Sequence, residues 1–286
     1  MRSPVHSYRP VAHRAEAIVA LGDEPPRTAG MLTRDVLAVA ARLPRASPGS
    51  EVLIVCGDRY RVAVAVLAAW QAGHAAALPP NAASETVRAL RRRPGVVALL
   101  HDTDADDEHD LRPWLIHFPD PDVHLAADPM QLHAIASERV IAVVYTSGST
   151  GAHQACPKTA RQLLGEAATL AERFAIGPAQ RVLATVPPHH LYGLLFGVLV
   201  PLCAGASFIR ETPLHTETVA AVARRFAADM LVSAPVHLRS LTLLSPGELP
   251  PLARVFSSGA ALPGEIAGLL GTRLGLWVTE IYGASE

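Results

Sequence analysis

Cysteine is scarce in this 286-residue chain. The three present, Cys56, Cys156 and Cys203, are widely spaced, odd in number and form no C-x-x-C pair. That excludes a disulfide framework and fits thiols kept reduced in a cytosol. Charge is sparse as well: 18% of residues are Asp, Glu, Lys or Arg, and the formal net charge is -1. Such a balance gives no electrostatic reason to expect nucleic acid as a partner. The densest basic run, Arg88 with Arg91, Arg92 and Arg93, stops at Pro94. It reads as a solvated helix C-terminus, where cations offset the partial negative charge. Long apolar runs are missing too. The greasiest segment, Leu191 to Phe208, is broken by Gly193, Gly197, Pro201 and Gly205, so no membrane span is expected. Met1 to Pro10 has no apolar stretch of the signal-peptide kind. These absences together predict a cytoplasmic location.

What the chain does have is apolar residues, half of the total, enough for one large domain or two smaller ones. Short aliphatic runs alternate with helical patterns. Strands are expected at Glu51 to Cys56, Ala75 to Leu78, Val96 to Leu100, Val140 to Tyr145, Arg181 to Val186, Ala206 to Ile209, Met230 to Ser233, Arg254 to Ser257 and Leu276 to Tyr282. Between them, Val62, Val66 and Trp70 recur at four-residue spacing in a helix stopped by Gly73. Leu163, Ala167, Leu170 and Phe174 mark another helix. Thr33 is expected to cap a helix running through Leu43 and ended by Pro44. The acidic segment Asp102 to Asp110 reads as an exposed loop. Alternation of this kind predicts an α/β fold with mostly parallel sheets covered by helices.

Four segments carry chemistry. Tyr145-Thr146-Ser147-Gly148-Ser149-Thr150-Gly151 follows a buried-looking strand, and its small residues let backbone N–H groups turn inward around an anion. Lys158 adds a point charge. The spacing matches neither a P-loop nor a nucleophile elbow, and the composition alone also fits a flexible linker. Pro188-His189-His190-Leu191-Tyr192-Gly193, Ser257-Ser258-Gly259-Ala260-Ala261-Leu262-Pro263 and Tyr282-Gly283-Ala284-Ser285-Glu286 follow other strands. All lie at expected C-terminal strand ends, where open α/β sheets bind ligands.

These four segments, in this order, resemble the core motifs of the adenylate-forming superfamily: acyl-CoA synthetases, luciferases and nonribosomal-peptide adenylation domains. The resemblance runs from about Leu32 to Glu286. It implies two stacked, mostly parallel sheets flanked by helices, one subdomain using roughly 51–177 and a second using roughly 32–43 plus 181–286. It implies activation of a carboxylic acid by ATP, giving an acyl-adenylate, then transfer to the thiol of CoA or of a phosphopantetheinyl carrier protein. Thr146, Ser147, Gly148, Ser149, Thr150 and Gly151 would hold the β- and γ-phosphates. Gly259, Ala260 and Ala261 would pass along the adenine, and Tyr282, followed by Gly283, would stack on it. Ser285 would touch the α-phosphate and Glu286 would bind Mg²⁺. His190 and Lys158 are the expected catalytic groups, and His190, Tyr192 and Gly193 would shape the acyl pocket. The chemistry agrees, because a carboxylate attacking a phosphate needs backbone dipoles, a lysine and a hard cation to neutralise charge.

Two departures stand out. Six residues, from Ala152 to Pro157, separate Gly151 from Lys158, where the family places its lysine three positions after the last glycine. This longer loop resembles ligases of aryl-polyene and xanthomonadin-type pathways, which points to an aryl or medium acyl acid. Ser285 stands for the usual threonine. The family's ribose-binding aspartate, hinge and lid domain with its lysine lie beyond Glu286, so an incomplete large adenylation domain is expected. A non-catalytic nucleotide-binding remnant, or half of a split enzyme completed by a separate lid-domain chain, is the alternative. Two decoys are set aside. Adjacent His189 and His190 in an extended segment would point to opposite faces and share no metal. Asp102, Asp104 and Asp106 begin like a calcium loop, but Asp107 and Pro113 occupy its glycine and glutamate positions.

Overall fold

The computed structural model of the chain describes residues 7–102, 115–116, 131–147 and 153–283. In chain order the strands are β1 Ser7–Tyr8, β2 Ile18–Leu21, β3 Arg27–Thr28, β4 Glu51–Val55, β5 Ala75–Leu78, β6 Val96–His101, β7 Leu115–Ile116 and β8 Ile135–Ala136. They continue as β9 Val140–Ser147, β10 His153–Thr159, β11 Arg181–Ala184, β12 Ser207–Ile209, β13 Met230–Ser233, β14 Arg254–Ser257 and β15 Val278–Glu280. The helices are α1 Ala29–Ala40, α2 Arg59–Gln71, α3 Ser84–Arg91, α4 Glu166–Arg173, α5 Leu191–Leu194, α6 Val200–Ala204, α7 Thr216–Arg225, α8 Pro235–Leu241 and α9 Gly264–Leu274. One π-helical turn, Arg161–Gly165, leads into α4, and another, Leu195–Leu199, joins α5 to α6.

Two sheets organise the chain. A six-stranded sheet has the order β10-β9-β5-β4-β6-β7, parallel except for the β9–β10 hairpin. A seven-stranded sheet has the order β15-β14-β13-β11-β12-β2-β3, parallel except for β2–β3. This is the predicted α/β arrangement of mostly parallel sheets flanked by helices. Period-two alternation splits each sheet's side chains between two cores. Val52, Ile54, Ala76 and Val144 of one sheet, and Val182, Ala184, Val232 and Phe256 of the other, enter a shared core with α1, α2 and the 191–204 helix. Their neighbours turn away. Leu53 and Leu99 pack with Val87 and Leu90 of α3, while Leu183, Leu231 and Val255 pack with α7 and α8.

Helix α2 lies in the shared core and is buried nearly all round. Asp58 caps it by accepting the Arg61 N–H at 2.8 Å. Its far end is tied down by Trp70, fully buried, whose indole N–H donates to the Ile141 carbonyl of β9.

Some expectations need correction. The cap of α1 is Thr28, not Thr33; its Oγ1 accepts from the Met31 N–H at 3.2 Å, and the helix ends at Ala40 rather than near Leu43. The buried stripe already starts at Ala29 and Leu32, so the helix must begin earlier to present it. From His153 onward, the stretch before Lys158 is strand rather than loop. Residues 153–159 form β10, and Lys158 lies opposite Ala142. Of the acidic segment, Asp102 accepts N–H groups of Gly57 and Asp58 at 2.8–3.0 Å, while 103–110 lie outside the described residues. No helix among the described residues is long and apolar enough to cross a membrane.

Candidate active site

The C-terminal ends of β9, β11, β13, β14 and β15 converge on one cleft of about 960 Å³. It opens between the two sheets, where parallel strands leave their last backbone groups unpaired and the connecting loops diverge. Thr146 and Lys158 come from the β9–β10 hairpin, joined by Arg161, Gln162 and Glu166 from the helix that follows. Thr159 and Gln162 build a reciprocal cap at that helix start: each accepts the other's backbone N–H, at 2.9 and 3.3 Å. The cap fixes Arg161 and Gln162 at the rim. Burial raises the Glu166 carboxyl above its ordinary range, against the opposing pull of Lys158.

The opposite wall comes from the seven-stranded sheet. After β11 the chain turns through Pro187 and Pro188 and enters α5, carrying His189, His190, Leu191 and Tyr192 along the cleft. Gly193 makes that turn possible. A Cβ there would sit 2.1 Å from the Pro187 carbonyl oxygen, so only hydrogen fits. Tyr192 packs on Phe196, and Phe196 on Phe256, with ring centroids 5.2 and 5.0 Å apart. Burial pushes the Tyr192 hydroxyl's pKa up; this hydroxyl lies beside the Ser233 backbone without a hydrogen bond of full geometry.

The two histidines do not point to opposite faces. Both border the cleft with ring centroids 4.6 Å apart, because the residues occupy a turn rather than a strand. Burial, helped by the charge of His190, lowers His189 to about 4, and burial lowers His190 as well.

At the end of β14, Ser258 Oγ donates to the Ile281 carbonyl at 2.7 Å, and the Ile281 N–H donates to Ser257 at 2.8 Å. Glu280 accepts the Leu262 N–H at 2.8 Å and so closes the 258–262 loop onto β15. These bonds set Ser258, Gly259, Ile281, Tyr282 and Gly283 on the rim, with the Tyr282 ring fully exposed.

Of the residues singled out in the sequence, the structure brings Thr146, Lys158, His190, Tyr192, Gly259, Tyr282 and Gly283 to this cleft. Gly193 lies behind its wall, and Ala260 and Ala261 are exposed without bordering it. Ser147 ends β9. Gly148, Ser149, Thr150, Gly151, Ser285 and Glu286 lie outside the described residues. No cluster of three or more metal-ligating side chains occurs among the described residues. Sequence reasoning missed Arg161, Gln162, Glu166, His189 and His237 as cleft residues; the Thr159-x-x-Gln162 capping signal was the one legible clue.

The profile of the family described as "AMP-binding enzyme" matches residues 10–286. A 4-coumarate–CoA ligase of Rhodobacter capsulatus is 40% identical over 158 residues, covering 54% of this chain and 40% of that protein. A sulfoacetate–CoA ligase of Cupriavidus necator is 30% identical over 182 residues, 61% of this chain and 35% of that protein. The chain thus spans well under half the length of these relatives. Among solved structures, ATP-bound MatB from Rhodopseudomonas palustris superposes with a TM-score of 0.80 at 18% identity, over 95% of this chain and 57% of that one. A malonyl-CoA ligase ternary product complex with methylmalonyl-CoA and AMP superposes at 0.79 with 24% identity, over 97% and 60%. The chain belongs to the AMP-binding enzyme family, within the adenylate-forming superfamily.

Proposed function

We propose that this chain forms the acid- and ATP-binding body of an acid–thiol ligase. A carboxylate oxygen of the substrate attacks the α-phosphorus of ATP. The bond to the β-phosphate's bridging oxygen breaks, and pyrophosphate leaves. The acyl-adenylate then meets a thiol, of CoA or of a phosphopantetheinyl carrier protein, which takes the acyl group and releases AMP.

The observation that carries this reading is the polarity of the cleft. Lys158 and Arg161 stand on the β9–β10 side, and the aromatic wall of Tyr192 and Phe196 stands on the other. A polyanion and an apolar acid body would each meet its complement there, with their reacting ends between. In this reading Thr146 and the residues through Gly151 cradle the phosphates with Lys158. His190, Tyr192 and Gly193 shape the acid side, with His190 neutral at pH 7. Gly259, Ala260, Ala261, Tyr282 and Gly283 flank adenine, and Ser285 reaches the α-phosphate. Mg²⁺, arriving with ATP and held by Glu286, would supply charge neutralisation. A cytoplasmic location and a separate lid-domain chain belong to the same proposal.

A non-reactive acyl-sulfamate analogue of the adenylate tests it. It should bind the chain at least about a hundredfold more tightly than AMP, since one molecule fills both halves of the cleft. Affinity equal to that of AMP would leave a nucleotide site without an acid site.

A further inference from the structure

Behind the aromatic side of the cleft, three side chains from separate elements form a hydrogen-bonded chain. His237 of α8 has its Nδ1 2.8 Å from Thr185 Oγ1, at the end of β11. Thr185 Oγ1 is in turn 2.8 Å from Ser233 Oγ, the last residue of β13. Thr185 and Ser233 are fully buried, whereas the His237 ring borders the cleft. The Tyr192 hydroxyl lies beside the Ser233 backbone, so the group adjoins the proposed acid wall.

The protons in this chain have one consistent arrangement. Ser233 Oγ has no acceptor other than Thr185 Oγ1 among the described residues, and a buried hydroxyl left without an acceptor is costly. Its hydrogen therefore goes to Thr185. The Thr185 hydrogen goes onward to His237 Nδ1, which must then be an acceptor. A neutral imidazole accepting at Nδ1 carries its hydrogen on Nε2. Burial lowers the affinity of this ring for a second proton, which keeps it neutral. Nε2 forms no hydrogen bond with any described residue, so the ring has an unused donor at the cleft wall.

We infer that His237 is a specificity-determining residue, its Nε2–H reading an oxygen acceptor on the body of the acid substrate, remote from the reacting carboxylate. This rests on the ligase reading above. It deepens that reading by naming the substrate class: carboxylic acids bearing a hydroxyl, carbonyl or ether oxygen, in preference to plain hydrocarbon acids. Lys158 and Arg161 belong to the hairpin side of the cleft, so the recognised oxygen is a neutral one. Thr185 and Ser233 act as positioning residues, because they fix the tautomer and never touch substrate. A site that offers a donor discriminates strongly against analogues that leave the donor unpaired.

Matched acids titrated calorimetrically into the chain in the presence of AMP test this. Suitable pairs are benzoate against 3- and 4-hydroxybenzoate, and hexanoate against 6-hydroxyhexanoate. In at least one pair the oxygenated acid should bind about tenfold or more tightly, the scale of one well-made hydrogen bond. In His237→Phe that contrast should collapse to within about twofold. Thr185→Val, which keeps the volume and removes the hydroxyl, should lose most of the contrast, while Thr185→Ser should keep it. If His237→Phe fails to fold, the Thr185 pair decides alone. Equal binding within every pair, or a contrast untouched by these variants, would overturn the inference and leave the ligase reading standing. If no acid binds at all, the ligase reading falls and the inference with it.

Discussion

The Nη2 of Arg59 donates to the carbonyl oxygen of Val186 at 3.1 Å. The same nitrogen reaches the Ala184 carbonyl at 3.1 Å and Thr212 Oγ1 at 3.0 Å. A fully buried cation at the start of α2 thus holds the end of β11, from which the His189–His190 turn departs. Burial lowers its pKa to about 10, and its Nε and Nη1 have no partner among the described residues. Replacing Arg59 with Met removes these charge-assisted bonds but also removes a buried charge. The first loss outweighs the second, because two carbonyls are left without their donor. Urea unfolding should show a loss of about 2–4 kcal/mol. An unchanged midpoint would mean the carbonyls find other donors.

Two glycines in helices should respond oppositely to alanine. Gly193→Ala places a methyl against the Pro187 carbonyl and forces the α5 turn away from β11. Destabilisation of about 3 kcal/mol or more is expected, with loss of adenylate-analogue binding. Gly268→Ala, on exposed α9 where an added Cβ meets nothing within 4 Å, should stabilise by about 0.5–1 kcal/mol. Thermal melts of both variants check the contrast. Similar melting of the two would refute the close-approach account of Gly193.

Acid sensitivity should have a histidine component. The folded pKa of His189 is about 4, below the ordinary 6.5, and burial also lowers His13, His190 and His237. Between those values the unfolded chain binds more protons than the folded one, so stability is present above 6.5 and lost as pH falls toward 4. Replacing His189 with Gln should flatten part of that slope, by roughly 1–2 kcal/mol at pH 4.5. Glu24 acts lower on the scale. Hydrogen bonds from Arg210 and Arg27 hold it at about 2, so its contribution is present above the unfolded value of 4.5 and is lost as pH falls from there toward 2. Unfolding measured at pH 7, 5.5 and 4.5 isolates the histidine term; an identical slope in His189→Gln would remove it.

Lys158 is the cation on which the phosphate side of the proposal depends. Lys158→Ala should weaken ATP binding by about 1–3 kcal/mol, the scale of a lost charge-assisted contact. Its seat on a strand, with Arg161 nearby, also predicts that Arg161→Ala weakens ATP less, because that side chain is two-thirds exposed. Calorimetric titration of the two variants gives the comparison. A larger loss for Arg161 would reverse the assignment.

The parallel strands were legible because aliphatic runs such as Val52-Leu53-Ile54 and Met230-Leu231-Val232 are buried on both faces and bounded by turn residues. β10 was not, since His153, Gln154, Pro157 and Lys158 carry none of that signal. It is an edge strand, where Pro157 interrupts no ladder on its open side. The site divides in the same way. Motif residues at strand ends could be read locally, including Thr146, His190 and Tyr192. His237 could not, because its partners Thr185 and Ser233 are brought to it only by the order of β11 and β13 in the sheet. His189 was misjudged by assuming strand alternation in what is a turn.

In the proposed reaction the cleft joins a carboxylic acid to the α-phosphate of ATP. Acid-dependent ATP–pyrophosphate exchange, measured on the chain with and without an added lid domain from a relative, tests it most directly. Label incorporation should require an acid, appear in the supplemented reaction and fall in Lys158→Ala. Incorporation at the no-acid background for every acid, with and without the added domain, would contradict it.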